Sequence, residues 1–192
     1  MTDALILRLP GPGLLAHRDG IRQVYAEAFA EPPWHSDPAE ADVYLDRLAG
    51  DTERPGFVGA VALEGDRVLG FATAWTSETP LPVTRSYPHV RAALGAERTA
   101  AWLCGGLEVD ELAVTPGAHG RGLGRTLLEE VTRDAPGGRC WLLTSVRAEA
   151  AVRFYERLGW RQATHPAPNG YSTAVFLGPR HPGRAEILAP PA

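Results

Sequence analysis

The chain has 192 residues, within the range of one domain, and its 44% hydrophobic and 22% charged residues are those of an ordinary globular protein rather than a disordered one. A formal net charge of −4 offers no electrostatic footprint for a nucleic-acid backbone. All 19 basic residues are arginine, which excludes lysine Schiff-base chemistry and the lysine-bearing phosphate loop. Cys104 and Cys140 are too few for a disulfide framework or a cysteine-rich zinc site, so they are expected to be small buried hydrophobes and no metal is expected. No apolar run approaches the roughly 20 residues of a membrane span, and MTDALILRLP is not a secretory segment, so a cytoplasmic location without a membrane partner is expected.

Ala4 to Leu9 reads as a first strand closed by the breaker cluster Pro10-Gly11-Pro12-Gly13. Ile21, Val24, Tyr25, Ala28 and Phe29 recur at the spacing of one helix face, which predicts a helix over about residues 17–30. Asp37-Pro38-Ala39-Glu40 supplies a cap acceptor, a first-turn proline and an acid at the third position, predicting a second helix that runs to about Gly50. Phe57 to Leu63 and Val68 to Trp75 form an antiparallel pair around Gly65. Residues 77–105 are the least regular part, with a short helix expected between Val90 and Leu103, and are the candidate acceptor-binding loop.

Leu107 to Val114 is a strand, and the stripe Leu123, Leu127, Leu128 and Val131 marks the helix after it. Cys140 to Thr144 suits a buried strand, and Ala148 to Leu158 is a helix stopped at Gly159. Arg161 to Thr164 and Tyr171 to Leu177 close the fold, and the proline-rich tail 179–192 is expected to be poorly ordered. The order βααββ, a loop, then βαβαββ predicts a mixed α/β fold over residues 1–178 as a single domain: about seven strands in a central sheet, flanked by about four helices.

Three glycines, at 120, 122 and 124, fall where a strand ends and a helix begins. Backbone amides there converge on one concavity, the helix N-terminus adds partial positive charge, and an anion can approach without meeting a Cβ. Dinucleotide-binding folds use such turns too, but a GxGxxG pattern starting at Gly122 needs glycine or alanine at 127, which is Leu127.

The stretch VDELAVTPGAHGRGLGRTLLEEV, residues 109–131, resembles the acyl-CoA-binding motif of the GNAT superfamily of N-acetyltransferases. AEAAVRFYERLGW, residues 148–160, is similar to that family's second motif. The resemblance covers about residues 57–178 well and the first two helices more loosely. It implies a sheet splayed between the fourth and fifth strands, with acetyl-CoA as cofactor. The pantetheine arm would lie along the backbone of Leu112, Ala113 and Val114, and the pyrophosphate on His119, Gly120, Arg121, Gly122, Leu123, Gly124 and Arg125, with Thr126 close behind. His119 departs from the family's glutamine or arginine, and Ala148 from its asparagine.

Acyl transfer to an amine needs a base for the ammonium proton, a donor for the thioester oxygen and a proton for the leaving thiolate. Glu108, then Glu111, then Asp110 are the candidate bases, a backbone N–H near Val114 the oxygen's donor, and Tyr155, where the resemblance also places a tyrosine, the acid for sulfur. These residues point to transfer of acetyl from acetyl-CoA to a primary amine of a small molecule by direct attack in a ternary complex. A non-catalytic acyl-CoA sensor and a peptide N-terminal acetyltransferase are the alternatives. The sequence leaves the acceptor open, and whether the chain forms a homodimer.

Overall fold

A computed structural model describes residues 4–165 and 172–187. In chain order its elements are β1 (Leu5–Leu9), α1 (Gly11–Leu15), α2 (Arg18–Phe29), α3 (Glu40–Asp51), β2 (Val58–Glu64), β3 (Arg67–Thr76), α4 (Tyr87–Leu94) and α5 (Ala96–Arg98). Then follow β4 (Leu107–Val114), α6 (Leu123–Thr132), β5 (Cys140–Ser145), α7 (Glu149–Arg157), β6 (Arg161–Gln162) and β7 (Thr173–Leu177). The strands make one seven-stranded mixed sheet in the order β1-β2-β3-β4-β5-β7-β6, as the α/β reading predicts. Two compact units share it, Met1–Trp75 with Val109–Arg133, and Thr76–Glu108 with Asp134–Ala192, so β4 starts in the second unit and continues into the first.

In the first unit β1, β2 and β3 form an antiparallel meander whose β2–β3 turn is closed by Gly65 at φ +60°. A left-handed residue is what a tight hairpin of this hand requires, which is why the turn was readable from glycine. Ile21 and Val24 of α2, Tyr44, Leu45 and Leu48 of α3, and Phe71 of β3 bury themselves together in one core.

The second unit pairs β5 and β6 antiparallel to β7. Its core gathers Leu81, Tyr87, Val90, Leu94, Trp102 and Leu103 around Trp141, Val175 and Leu177.

Among the described residues there are seven α-helices, where about four were expected. The cluster Pro10-Gly11-Pro12-Gly13 starts α1 instead of breaking the chain, because proline in a first turn gives up no hydrogen bond. Leu14 then donates its N–H to the Pro10 carbonyl at 2.9 Å and packs on Gly59, where any Cβ would lie 2.7 Å from a leucine methyl. The irregular segment holds α4 and α5 because Tyr87, Val90 and Leu94 repeat at helical spacing and are all buried. Asp37 is not the cap of α3: its side chain accepts the Ala39 N–H at 2.8 Å, and the helix begins at Glu40.

Of the closing strands, β6 has two residues and β7 begins at Thr173, while Tyr171 lies outside the described residues. Beyond β7 a 3-10 turn at Pro182–Glu186 follows His181, which is buried, and residues 188–192 lie outside the described residues. Among the described residues no helix is long and apolar enough to cross a membrane, and no group of histidine, cysteine and carboxylate side chains is placed to hold a metal.

Candidate functional site

The glycine turn lies wholly in the first unit. Gly120 and Gly122 take φ of +77° and +79°, and no atom comes within 4 Å of where a Cβ on either would be. Their backbone is therefore one that only glycine adopts without strain, and it borders open space. Gly122 is the N-cap of α6, and the first helical bond runs from Thr126 N–H to Gly122 O at 3.2 Å. The amides of Leu123, Gly124 and Arg125 thus precede the helix's own ladder, and no side chain caps them. Donors, helix dipole and clearance coincide, so this turn fits a pyrophosphate. Arg121 is paired with Glu64 at 2.8 Å and Arg125 with Glu129 at 2.8 Å, both at the surface.

Upstream, Ala113 is buried and Leu112 and Val114 half-buried on β4. Gly70 explains how closely β3 runs here: a Cβ on it would come within 2.9 Å of the Ala113 carbonyl oxygen. The Val114 carbonyl accepts a hydrogen bond from His119 Nε2 at 2.9 Å, and Thr115 N–H donates to the Leu69 carbonyl at 2.9 Å. The Thr115 hydroxyl bonds the Glu27 carboxylate of α2, which is the main reason that Glu27 titrates below the ordinary carboxylate range.

The three β4 carboxylates have different surroundings. Asp110, with its side chain 1% exposed, receives Arg47 at 3.0 Å, and Arg47 reaches on to Asp51 at 2.8 Å, which in turn holds Arg54 at 2.6 Å. Glu111 is half-buried near two phenols, Tyr25 and Tyr44, which stack with ring centroids 4.6 Å apart. Burial first and the Glu111 charge second push Tyr25 up to about 12, and the same two causes raise Tyr44 well above a phenol's usual value. Tyr44 Oη and Thr73 Oγ1 are buried there without reaching hydrogen-bond geometry. Phe29 packs on Tyr25 at 4.5 Å and carries the half-exposed Trp34 edge-on at 5.8 Å.

Glu108 belongs to the second unit and is 3% exposed. The Tyr87 hydroxyl donates to it, 3.0 and 2.9 Å from its two oxygens. In the same unit Tyr155 of α7 is 9% exposed, packed by Phe154, Trp160 and Phe176 with centroids 5.2, 6.0 and 6.2 Å away. Ala148, as the N-cap of α7, contributes only its buried methyl. Both cysteines are free and buried, and burial pushes the Cys140 thiol up to about 11.

Sequence reasoning missed Tyr87, Arg47 and Glu27. Tyr87 meets Glu108 across 21 residues and Arg47 meets Asp110 across 63, so no local pattern ties them together. Glu27 lies off the apolar face formed by Ile21, Val24, Tyr25, Ala28 and Phe29, so the repeat that marks α2 gave no signal for it either.

The mixed sheet's central strand runs into a glycine turn whose amides are uncapped at a helix start, an arrangement that fits an anion. A profile of the acetyltransferase (GNAT) family matches residues 19–160. The chain belongs to that family and is an acyltransferase. Solved structures of the same fold include PaiA N-acetyltransferase from Thermoplasma acidophilum in complex with coenzyme A, at 13% identity over 92% of this chain and 99% of that one, with TM-score 0.56. A GNAT acetyltransferase from Bacillus cereus matches at 12% identity over 92% and 96%, TM-score 0.58. The ribosomal-protein-S18-alanine N-acetyltransferase from Escherichia coli matches at 17% identity over 93% and 94%, TM-score 0.52. No match was found among curated proteins.

Proposed function

We propose that this protein is an N-acetyltransferase acting on a primary amine of a small molecule, by direct attack in a ternary complex. The observation that carries the cofactor half is the turn Gly120 to Gly124, with positive-φ glycines, uncapped amides and open space beside them. Bound acetyl-CoA supplies an activated thioester. The backbone of Leu112, Ala113 and Val114 takes the pantetheine arm, and amides from Gly120 to Arg125, flanked by Thr126, take the pyrophosphate.

Glu108 is the base. It is buried, and a phenol orients its carboxylate, so the proton of the incoming ammonium reaches it through water. Tyr155 gives its phenolic proton to the departing sulfur. Asp110 is committed to Arg47 and serves as an anchor rather than as a base.

Support for an amine acceptor comes from the first unit. After burial, the Glu111 charge does most to raise the pKa values of Tyr25 and Tyr44, against the opposing charge of Arg47, so Glu111 is the carboxylate beside this aromatic group that attracts an ammonium. The high thiol pKa of Cys140 leaves it without a nucleophilic thiolate, which favours direct attack over a cysteine-bound acyl group.

The test is thiol release from acetyl-CoA across a panel of primary amines. Release that depends on the amine and saturates with it is expected. Tight CoA binding without release for any amine would instead identify a sensor, and release only with peptide N-termini would shift the acceptor class.

A further inference from the structure

His119, at the start of the glycine turn, and Glu27, outside it, hold the approach to that turn, and what they imply rests on the proposed function. The peptide joining Val114 to Thr115 is clamped on both sides. Its carbonyl is taken by His119 Nε2 at 2.9 Å, its N–H by the Leu69 carbonyl at 2.9 Å. The next side chain, the Thr115 hydroxyl, is held by Glu27 of α2. From there the chain is wound tightly, with Ala118 N–H on the Thr115 carbonyl at 2.9 Å and His119 N–H on that of Pro116 at 3.1 Å.

A carbonyl oxygen only accepts, so Nε2 of His119 carries a hydrogen in this contact. That hydrogen is directed at the backbone five residues upstream. His119 is exposed and Glu27 only half-buried, and neither belongs to a hydrophobic core cluster, so core packing does not account for them. What the two share is the six-residue segment Val114 to His119 that leads from β4 into the amides of Gly120 to Arg125.

We propose that His119 and Glu27 are positioning residues for the acyl donor: they fix the 114–115 peptide plane and so aim the amides of residues 120–125, and His119 does this through its Nε2–H, which donates in either charge state of the ring, not as a cation on phosphate. One N–H donor at position 119 is all the contact needs, so glutamine can replace histidine and alanine cannot. Glu27 needs only an acceptor oxygen, which Glu27→Gln keeps and Glu27→Ala removes.

Binding of CoA is measured by titration calorimetry on the full chain, with steady-state kinetics alongside. Losing one net hydrogen bond of this kind predicts that His119→Ala raises the KM for acetyl-CoA and the Kd for CoA by roughly ten-fold, with a much smaller effect on kcat. His119→Gln recovers most of that affinity. Glu27→Ala behaves like His119→Ala, and Glu27→Gln recovers in the same way. The affinity ratio of the natural protein to His119→Gln stays constant between about pH 5.5 and about pH 7.5, on either side of the ordinary histidine pKa.

A ratio that climbs toward low pH, or a His119→Gln as weak as His119→Ala, overturns the proposal in favour of a cationic phosphate ligand. Hydrogen exchange of amides 119–124 in the unliganded protein gives an independent reading: faster in His119→Ala and restored in His119→Gln if the latch exists, unchanged in both if it does not. Failure of the natural protein to bind CoA would remove the acyltransferase reading, while the exchange result would still decide whether His119 holds the turn.

Discussion

A phenol that protonates a thiolate contributes to the chemical step and little to cofactor binding, and Tyr155, the proposed acid, is packed by three aromatic neighbours. Glu108 has its counterpart in Tyr87, whose hydroxyl leaves the carboxylate oriented. General acid and base groups typically contribute about 10²–10⁴-fold in rate. Tyr155→Phe and Glu108→Gln are therefore each expected to lower kcat by at least about 10²-fold while the Kd for CoA changes little. Unchanged turnover in either variant would remove that residue from the mechanism. Glycines 120 and 122 were legible from sequence because positive φ at a strand-to-helix turn leaves few other choices. The separate environments of Glu108, Asp110 and Glu111 were not, because strand alternation ranks faces but says nothing about which distant arginine or tyrosine arrives opposite.

Among the elements, α3 is tied to β4 by the chain Asp110, Arg47, Asp51 and Arg54. Removing one partner of a buried ion pair costs about 3–5 kcal/mol, and Arg47, 34% exposed, can regain water, so Asp110→Ala is expected to cost nearer 2 kcal/mol in urea unfolding. Unaltered stability together with lost turnover would make Asp110 the base after all. The helices α2 and α6 were readable from apolar stripes long enough to show their period, α3 from the start signal around Pro38 and Glu40, and α7 from the stop at Gly159. α1 was hidden by prolines, and α4 begins at Tyr87, ahead of the short helix expected from Val90, because a proline's meaning depends on position: in a first turn it starts a helix, elsewhere it ends one. The π-turn at Thr99–Leu103 and the 3-10 turn at Pro182–Glu186 have no sequence period and emerge only from tertiary packing.

For the molecule as a whole, pH enters through His181. In the second unit its Nδ1 accepts the Gly183 N–H at 3.0 Å and its Nε2 donates to the Trp102 carbonyl at 2.9 Å, so the ring is neutral when folded. Burial lowers its pKa below the usual 6.5. The unfolded chain then binds more protons than the folded one in that window, so stability rises with pH. Its contribution is fully present above pH 6.5 and is lost as the pH falls from there through the folded-state value. The natural protein is expected to exceed His181→Gln in Tm at neutral pH, with the gap narrowing under acid; a gap independent of pH would contradict this.

The central claim is that the cofactor's pyrophosphate rests on the turn from His119 to Gly124, and titration of CoA into the natural protein and Gly122→Val tests it most directly. A β-branched residue at φ +79° is strained, and its side chain occupies the space the phosphate needs. The expected result is clear CoA binding by the natural protein and a loss of about ten-fold or more in a Gly122→Val variant that keeps its circular dichroism. Equal affinity in the two would place the cofactor elsewhere and contradict the account.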